Sequence, residues 1–214
     1  MHPMPTPESA SAHKDRRVAA GHDLESVAAH CARRGFNPEV VADREEALQR
    51  IRELIPAGSD VTNGSSVTLR EIGLMAELES SRHWRWRRAE IYATKEPEKR
   101  VELRRWATTA DYMVGSVNAL AATGEAVCLD AGGTRVGGYA YGAGKVIWVV
   151  GRNKITPTLA EAIDRVRTHV FPLEDQRMRR DMGQPAFAGK LLLVEHEPLP
   201  DRIKLILVDE DLGY

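Results

Sequence analysis

Only two cysteines, Cys31 and Cys128, occur in 214 residues, far apart and in no Cys-x-x-Cys pair. That argues against a disulfide framework, a zinc ribbon or a cysteine-held iron–sulfur cluster, and it fits a reducing, cytoplasmic setting. The seven histidines show no His-x-His or His-x-x-x-His spacing, so no metal site is expected. No apolar run is long enough to span a bilayer. Residues 1–20, with Pro3, Pro5 and Pro7 among scattered charges, lack the apolar stretch of a secretion signal and are expected to form a flexible N-terminal tail. Net charge is lacking too. Thirty basic residues face 31 acidic ones, leaving −1, so no whole-protein field draws nucleic acid or an anionic membrane, and any attraction for anions must be local. What remains, 43% hydrophobic and 29% charged, is a globular balance, and residues 21–214 are expected to form one domain.

Periodicity supplies the elements. Leu24, Val27, Ala28 and Cys31 recur at helical spacing behind a capping Asp23, with Gly35 as the stop, which places Cys31 on a core-facing stripe. Residues 39–41 read as extended, and a helix over 43–54 aligns Ala47, Leu48, Ile51 and Leu54 on one face. A brief strand at 60–62, a polar loop and a helix opening near Thr68 follow. Next come a possible strand at 87–92, a charged helix over 98–107 and a strand at 111–114. Residues 126–130 and 135–138 predict a β-hairpin around 131–134. The almost wholly apolar 145–150 fits a strand covered on both faces. A helix from Pro157 to about Val170 and strands at 191–194 and 203–208 close the chain. The fold class implied is α/β, a mostly parallel sheet with antiparallel additions.

Chemistry concentrates in loops. Asn63, Gly64, Ser65, Ser66 and Thr68 lie between a strand and a helix start, where backbone N–H groups and hydroxyls converge on one point that suits an anion. The alternative is that Ser66 or Thr68 only caps the helix. Ser116 and Asn118, then Thr123 and Gly124, follow the next strand, and Glu125 beside them is a candidate general base or nucleophile as well as an ordinary surface glutamate. Asn153 and Lys154 follow the apolar strand and could supply a point charge to phosphate or carboxylate. Residues 142–145 resemble the end of a phosphate-binding loop, but Tyr139 replaces its first glycine and Val146 its hydroxyl residue, which rules out a nucleotide triphosphatase. Residues 82–88, rich in Arg and Trp, have the composition that stacks bases, although an edge segment with inward tryptophans explains them as well.

Residues 61–73, with Asn63-Gly64-Ser65-Ser66-Val67-Thr68-Leu69-Arg70-Glu71 at their centre, resemble the lactate-utilisation (LUD, LutC-like, formerly DUF162) domain family. So, in the same order, do Ser116-Val117-Asn118-Ala119, Thr123-Gly124-Glu125, Asn153-Lys154-Ile155 and the closing Asp201-Arg202-Ile203 and Leu212-Gly213. The resemblance implies a three-layer α/β/α fold of the sugar-phosphate isomerase and CoA-transferase (NagB/RpiA/CoA-transferase-like) group. It implies an accessory or regulatory part in oxidising L-lactate to pyruvate, binding a small anionic metabolite beside iron–sulfur partner subunits, with no cofactor held by this chain. The rival expectation is a free-standing acyl-CoA or phosphosugar transferase or isomerase using Glu125. Many relatives resemble one another in a cysteine-rich insertion before the last strands, and residues 177–190 here contain no cysteine.

Overall fold

The computed structural model describes residues 23–80 and 82–214; the expected tail, residues 1–20, lies outside them. The chain opens with α1 (Leu24–Arg33), whose Asp23 cap accepts a hydrogen bond from the Glu25 N–H, and continues through β1 (Asn37–Val41), α2 (Arg44–Leu54) and β2 (Asp60–Asn63). Two short helices, α3 (Val67–Glu71) and α4 (Leu74–Ser80), precede β3 (Arg85–Trp86), α5 (Arg87–Ala93) and α6 (Pro97–Ala107). Then come β4 (Tyr112–Gly115), β5 (Ala119–Ala121), β6 (Ala126–Asp130), α7 (Thr134–Gly137), β7 (Lys145–Gly151) and β8 (Ile155–Thr156). A long helical stretch holds α8 (Leu159–Arg165) and α9 (Phe171–Met182), and β9 (Lys190–Val194) and β10 (Ile203–Val208) follow.

Six strands form the main sheet in the order β1-β10-β7-β4-β2-β3, every neighbouring pair parallel, so all carboxyl ends meet one edge. Side chains alternate through it. Val146, Trp148 and Val150 of β7 pack on one face with α1 residues, Phe36 and Tyr139, while Ile147 and Val149 pack on the other with Ile51 of α2 and Leu69 of α3. Fully burying a side chain such as Ile51 contributes roughly 1.5–3 kcal/mol, so these two faces supply most of the stabilisation. The antiparallel additions, β5–β6 and β6–β9, lie in a separate sheet, β8-β5-β6-β9, in which β8 pairs with β5 in parallel. It grows from the main one: β4 leads into β5 through residues 116–118, and β7 leads into β8 through Arg152–Lys154. These two connections form the seam where the candidate site lies. Among the described residues no helix is long and apolar enough to cross a membrane.

Three expectations need correction. The strand expected at 87–92 is helix α5, because only Arg85 and Trp86 pair with β2 before Arg87 turns inward. The hairpin around 131–134 is instead α7 followed by a π-helical turn, Gly138–Gly142. The Asp130 carboxylate accepts from the Gly133 and Arg135 N–H groups at 2.7 and 3.3 Å, and Gly133, at φ 102°, supplies the left-handed residue that launches the helix. The helix expected to stop near Val170 runs on to Met182. Pro172 cannot donate to the preceding turn, and the π-helical turn Val166–Val170, closed by Phe171 N–H to Val166 O, absorbs it.

Candidate functional site

A cleft of about 750 Å³ opens at the carboxyl edge, over the seam. Its lining includes Asn63, Gly64, Ser65, Ser66, Thr68, Ser116, Asn118 and Lys154, so the structure brings these sequence-predicted residues to one hollow. Local folding explains their places. Asn63 ends β2, and its side chain is held by Trp86 Nε1–H at 2.8 Å and itself donates to Gly64 O. A Cβ on Gly64 would stand 2.5 Å from Arg135 Cδ, so only glycine lets that guanidinium stem cross the loop. Ser66 caps α3 by accepting from the Leu69 N–H at 3.3 Å, while Ser65 is exposed at the rim. With five residues, α3 contributes little dipole, and the attraction for anions falls to cationic side chains.

Lys154 is the centre. Only 3% exposed, it donates to Thr68 Oγ1 (2.8 Å), Ser116 Oγ (2.9 Å) and Val117 O (3.4 Å). Both hydroxyls spend their own protons on backbone carbonyls, Thr68 on Leu212 O and Ser116 on Val117 O, so their lone pairs face the ammonium. Burial, with repulsion from Arg165 and Arg135, pushes its pKa down from 10.5 to about 7. Arg165 staples the seam by donating to Asn118 O (2.7 Å) and Asn153 O (3.1 Å), and burial lowers its pKa to about 10. Arg135 donates to Leu129 O and, at 3.3 Å, to Asn118 Oδ1.

Of the arginines of the cleft, Arg88 lies in the Arg/Trp segment singled out from the sequence, and the others were not found there. Six cationic side chains line it, Arg88, Arg100, Arg104, Arg135, Lys154 and Arg177, against two carboxylate side chains, Asp130 and Glu174. Neither carboxylate is idle. Asp130 caps α7, and Glu174 takes a fork from Arg177 (2.6 and 2.8 Å) and a hydrogen bond from the Tyr214 hydroxyl. Burial opposes ionisation of Glu174, but those donors hold its pKa below the usual carboxylate range. The one sequence signal available was spacing: Arg100 and Arg104 stand one turn apart on α6, a like-charge pair that costs a helix about 0.2–0.5 kcal/mol.

Other expected site residues fall elsewhere. Thr123, Gly124 and Glu125 form the turn at the opposite end of the β5–β6 hairpin from Asn118. Glu125 pairs with Arg34, which also donates to Thr123 O at 2.7 Å, and none of the three residues lines the seam cleft. Asn153 is a latch: its amide donates to Gly213 O (3.0 Å) and accepts from the Leu212 N–H (3.1 Å), pinning the last residues beneath Lys154. The Arg/Trp segment is likewise structural in its first half. Trp84 is buried with its N–H on Ile55 O (3.1 Å), and Arg85 and Arg87 both pair with Asp60, leaving Arg88 to reach the cleft. Cys31 and Cys128 are fully buried, and burial pushes their thiols up to about 12 and about 11. Among the described residues no three His, Cys, Asp or Glu side chains gather to hold a metal ion.

Comparison with known proteins agrees with this architecture. A crystal structure of a DUF162 family protein from Deinococcus radiodurans superposes with a TM-score of 0.53 over 86% of this chain and 95% of that one, at 14% identity, and so shares its fold. No curated protein matches the sequence. The LUD domain matches residues 24–208, nearly all of the described residues, and this chain therefore belongs to the LUD domain family.

Proposed function

We propose that this LUD domain chain is an accessory or regulatory component of organic-acid utilisation, of the L-lactate to pyruvate kind, that binds an anionic metabolite in the seam cleft and works beside iron–sulfur partner subunits. Family membership supports the metabolic setting. The observation that carries anion binding is Lys154, a buried ammonium with three oxygen acceptors and no carboxylate partner among the described residues, facing a cleft in which cations outnumber carboxylates. An uncompensated buried charge is costly, and a carboxylate or phosphate entering the cleft is the counter-ion it lacks. Both lining carboxylates are already hydrogen-bonded, which favours holding a ligand over general-base chemistry.

The test is calorimetric titration of the full chain with L-lactate, pyruvate and inorganic phosphate. Saturable binding that weakens as salt rises is expected. Absence of heat and of any thermal shift with all three would refute the reading. For the setting, affinity purification of the tagged chain from cells oxidising L-lactate is expected to recover iron–sulfur proteins.

A further inference from the structure

The cleft is large for a three-carbon acid; volumes of roughly 300–1,000 Å³ house ligands of drug size. Its cations also fall into two groups. Lys154 and Arg135 sit at the seam, in the connection after β7 and beside the end of β6. Arg88, Arg100 and Arg104 come from α5 and α6, next to the β2 and β3 side of the sheet. Arg88 rests on Asn63 O at 2.7 Å, at the end of β2. The two groups enter the cleft from different elements, with strand β4 between β2 and β7. The second group lacks carboxylate partners, as Lys154 does. None of its three arginines meets a carboxylate among the described residues, and Arg100 Nε is buried without any hydrogen-bond partner. Apolar surface from Ile91, Tyr92 and Phe187 lines the same cleft, although Tyr92 and Phe187 are 58% and 68% exposed.

We propose that the cleft takes an elongated organic anion with an acidic group at each end, one on Lys154 and Arg135 and the other on Arg88, Arg100 and Arg104, with an apolar body between. This rests on the anion-binding reading above and narrows it: the bound metabolite is two-headed, and free lactate fills only one pole.

The experiment titrates the full chain with succinate, adipate and azelate, with nonanoate as the apolar control carrying one acidic end, and with inorganic phosphate as the single anion. Azelate is expected to bind at least about tenfold more tightly than succinate or nonanoate, because the second contact becomes intramolecular. The double variant R100A/R104A is expected to erase that advantage, bringing azelate down to the affinity of nonanoate. Equal affinities for succinate, azelate and nonanoate, or an azelate advantage that survives R100A/R104A, would overturn the two-headed ligand. If phosphate still binds in either case, the anion site itself stands. If neither phosphate nor azelate binds, both readings fall together.

Discussion

The two ends of the β5–β6 hairpin carry the same kinds of group and use them in opposite ways. At the turn, Arg34 meets Glu125, Thr123 O and Glu195 O, so its charge and its donors are consumed within the protein. At the seam, Asn118, Arg135, Arg165 and Lys154 gather with one carboxylate, Asp130, 4.0 Å from Arg135 and none on Lys154. A satisfied surface pair is worth little and asks for nothing more. Buried charge of one sign costs stability and marks a place where function has overruled packing. Hydroxyls, amides and glycine do not by themselves separate the two ends; the missing counter-ion does.

Lys154→Met is the sharpest way to break that contrast. It keeps the volume of the stem and removes the charge. Anion affinity is expected to fall by about 2–5 kcal/mol, the usual cost of deleting one side of a buried charged hydrogen bond, while the unliganded protein gains about 1 kcal/mol or more, as buried ions replaced by apolar residues often do. Calorimetry and urea unfolding read the two effects, and a variant that binds normally would remove Lys154 from the site.

Proton linkage gives the next largest effect. The Lys154 pKa is depressed to about 7 in the folded chain, whereas an unfolded lysine holds its proton to about pH 10.4. Between those values the unfolded chain binds more protons, so this residue makes stability rise with pH, by up to about 1.4 kcal/mol per unit, and the gain is lost as pH falls through 7. The window closes near pH 8.5. Above it the thiols of Cys31 and Cys128, raised in the fold, ionise first in the unfolded chain and reverse the slope. Affinity for an anion runs the other way, falling up to about tenfold per unit above pH 7, because the ligand needs the ammonium. Unfolding and titration series from pH 6 to 8.5 are expected to show opposite slopes, both flattened in Lys154→Met.

The parts of the molecule legible in the sequence are those decided locally. The apolar run of β7 reads as a central strand, and residues 63–68 read as a strand-to-helix loop because Ser66 caps helix α3 directly behind it. Residues 131–138 misled because glycines mark turns in general; that this turn opens a helix depends on the Asp130 carboxylate folding back over it. Arg100 and Arg104 are visible as a pair, but their lack of partners exists only once α6 faces the cleft. Thr123, Gly124 and Glu125 follow Asn118 closely in sequence and part from it in space, since β5 carries the chain away from the seam before the turn. Proximity along a strand is separation at about 3.3 Å per residue.

Glu125→Gln tests the settled end of the hairpin and carries the smallest effect. Its carboxylate is 12% exposed and the Arg34 side chain 28%, so the pair is partly shielded from water. Gln keeps an oxygen for the Thr123 hydroxyl and loses only the ionic part, and stability is expected to drop by about 1 kcal/mol or less. Arg34→Ala is expected to cost more, because the same guanidinium also ties Thr123 O and Glu195 O at 2.7 and 2.9 Å. Neither change should move anion affinity in the cleft. A Glu125→Gln protein that keeps its stability but loses affinity would mean that the turn and the seam act as one unit, and the division between paired and unpaired charge would no longer locate the site.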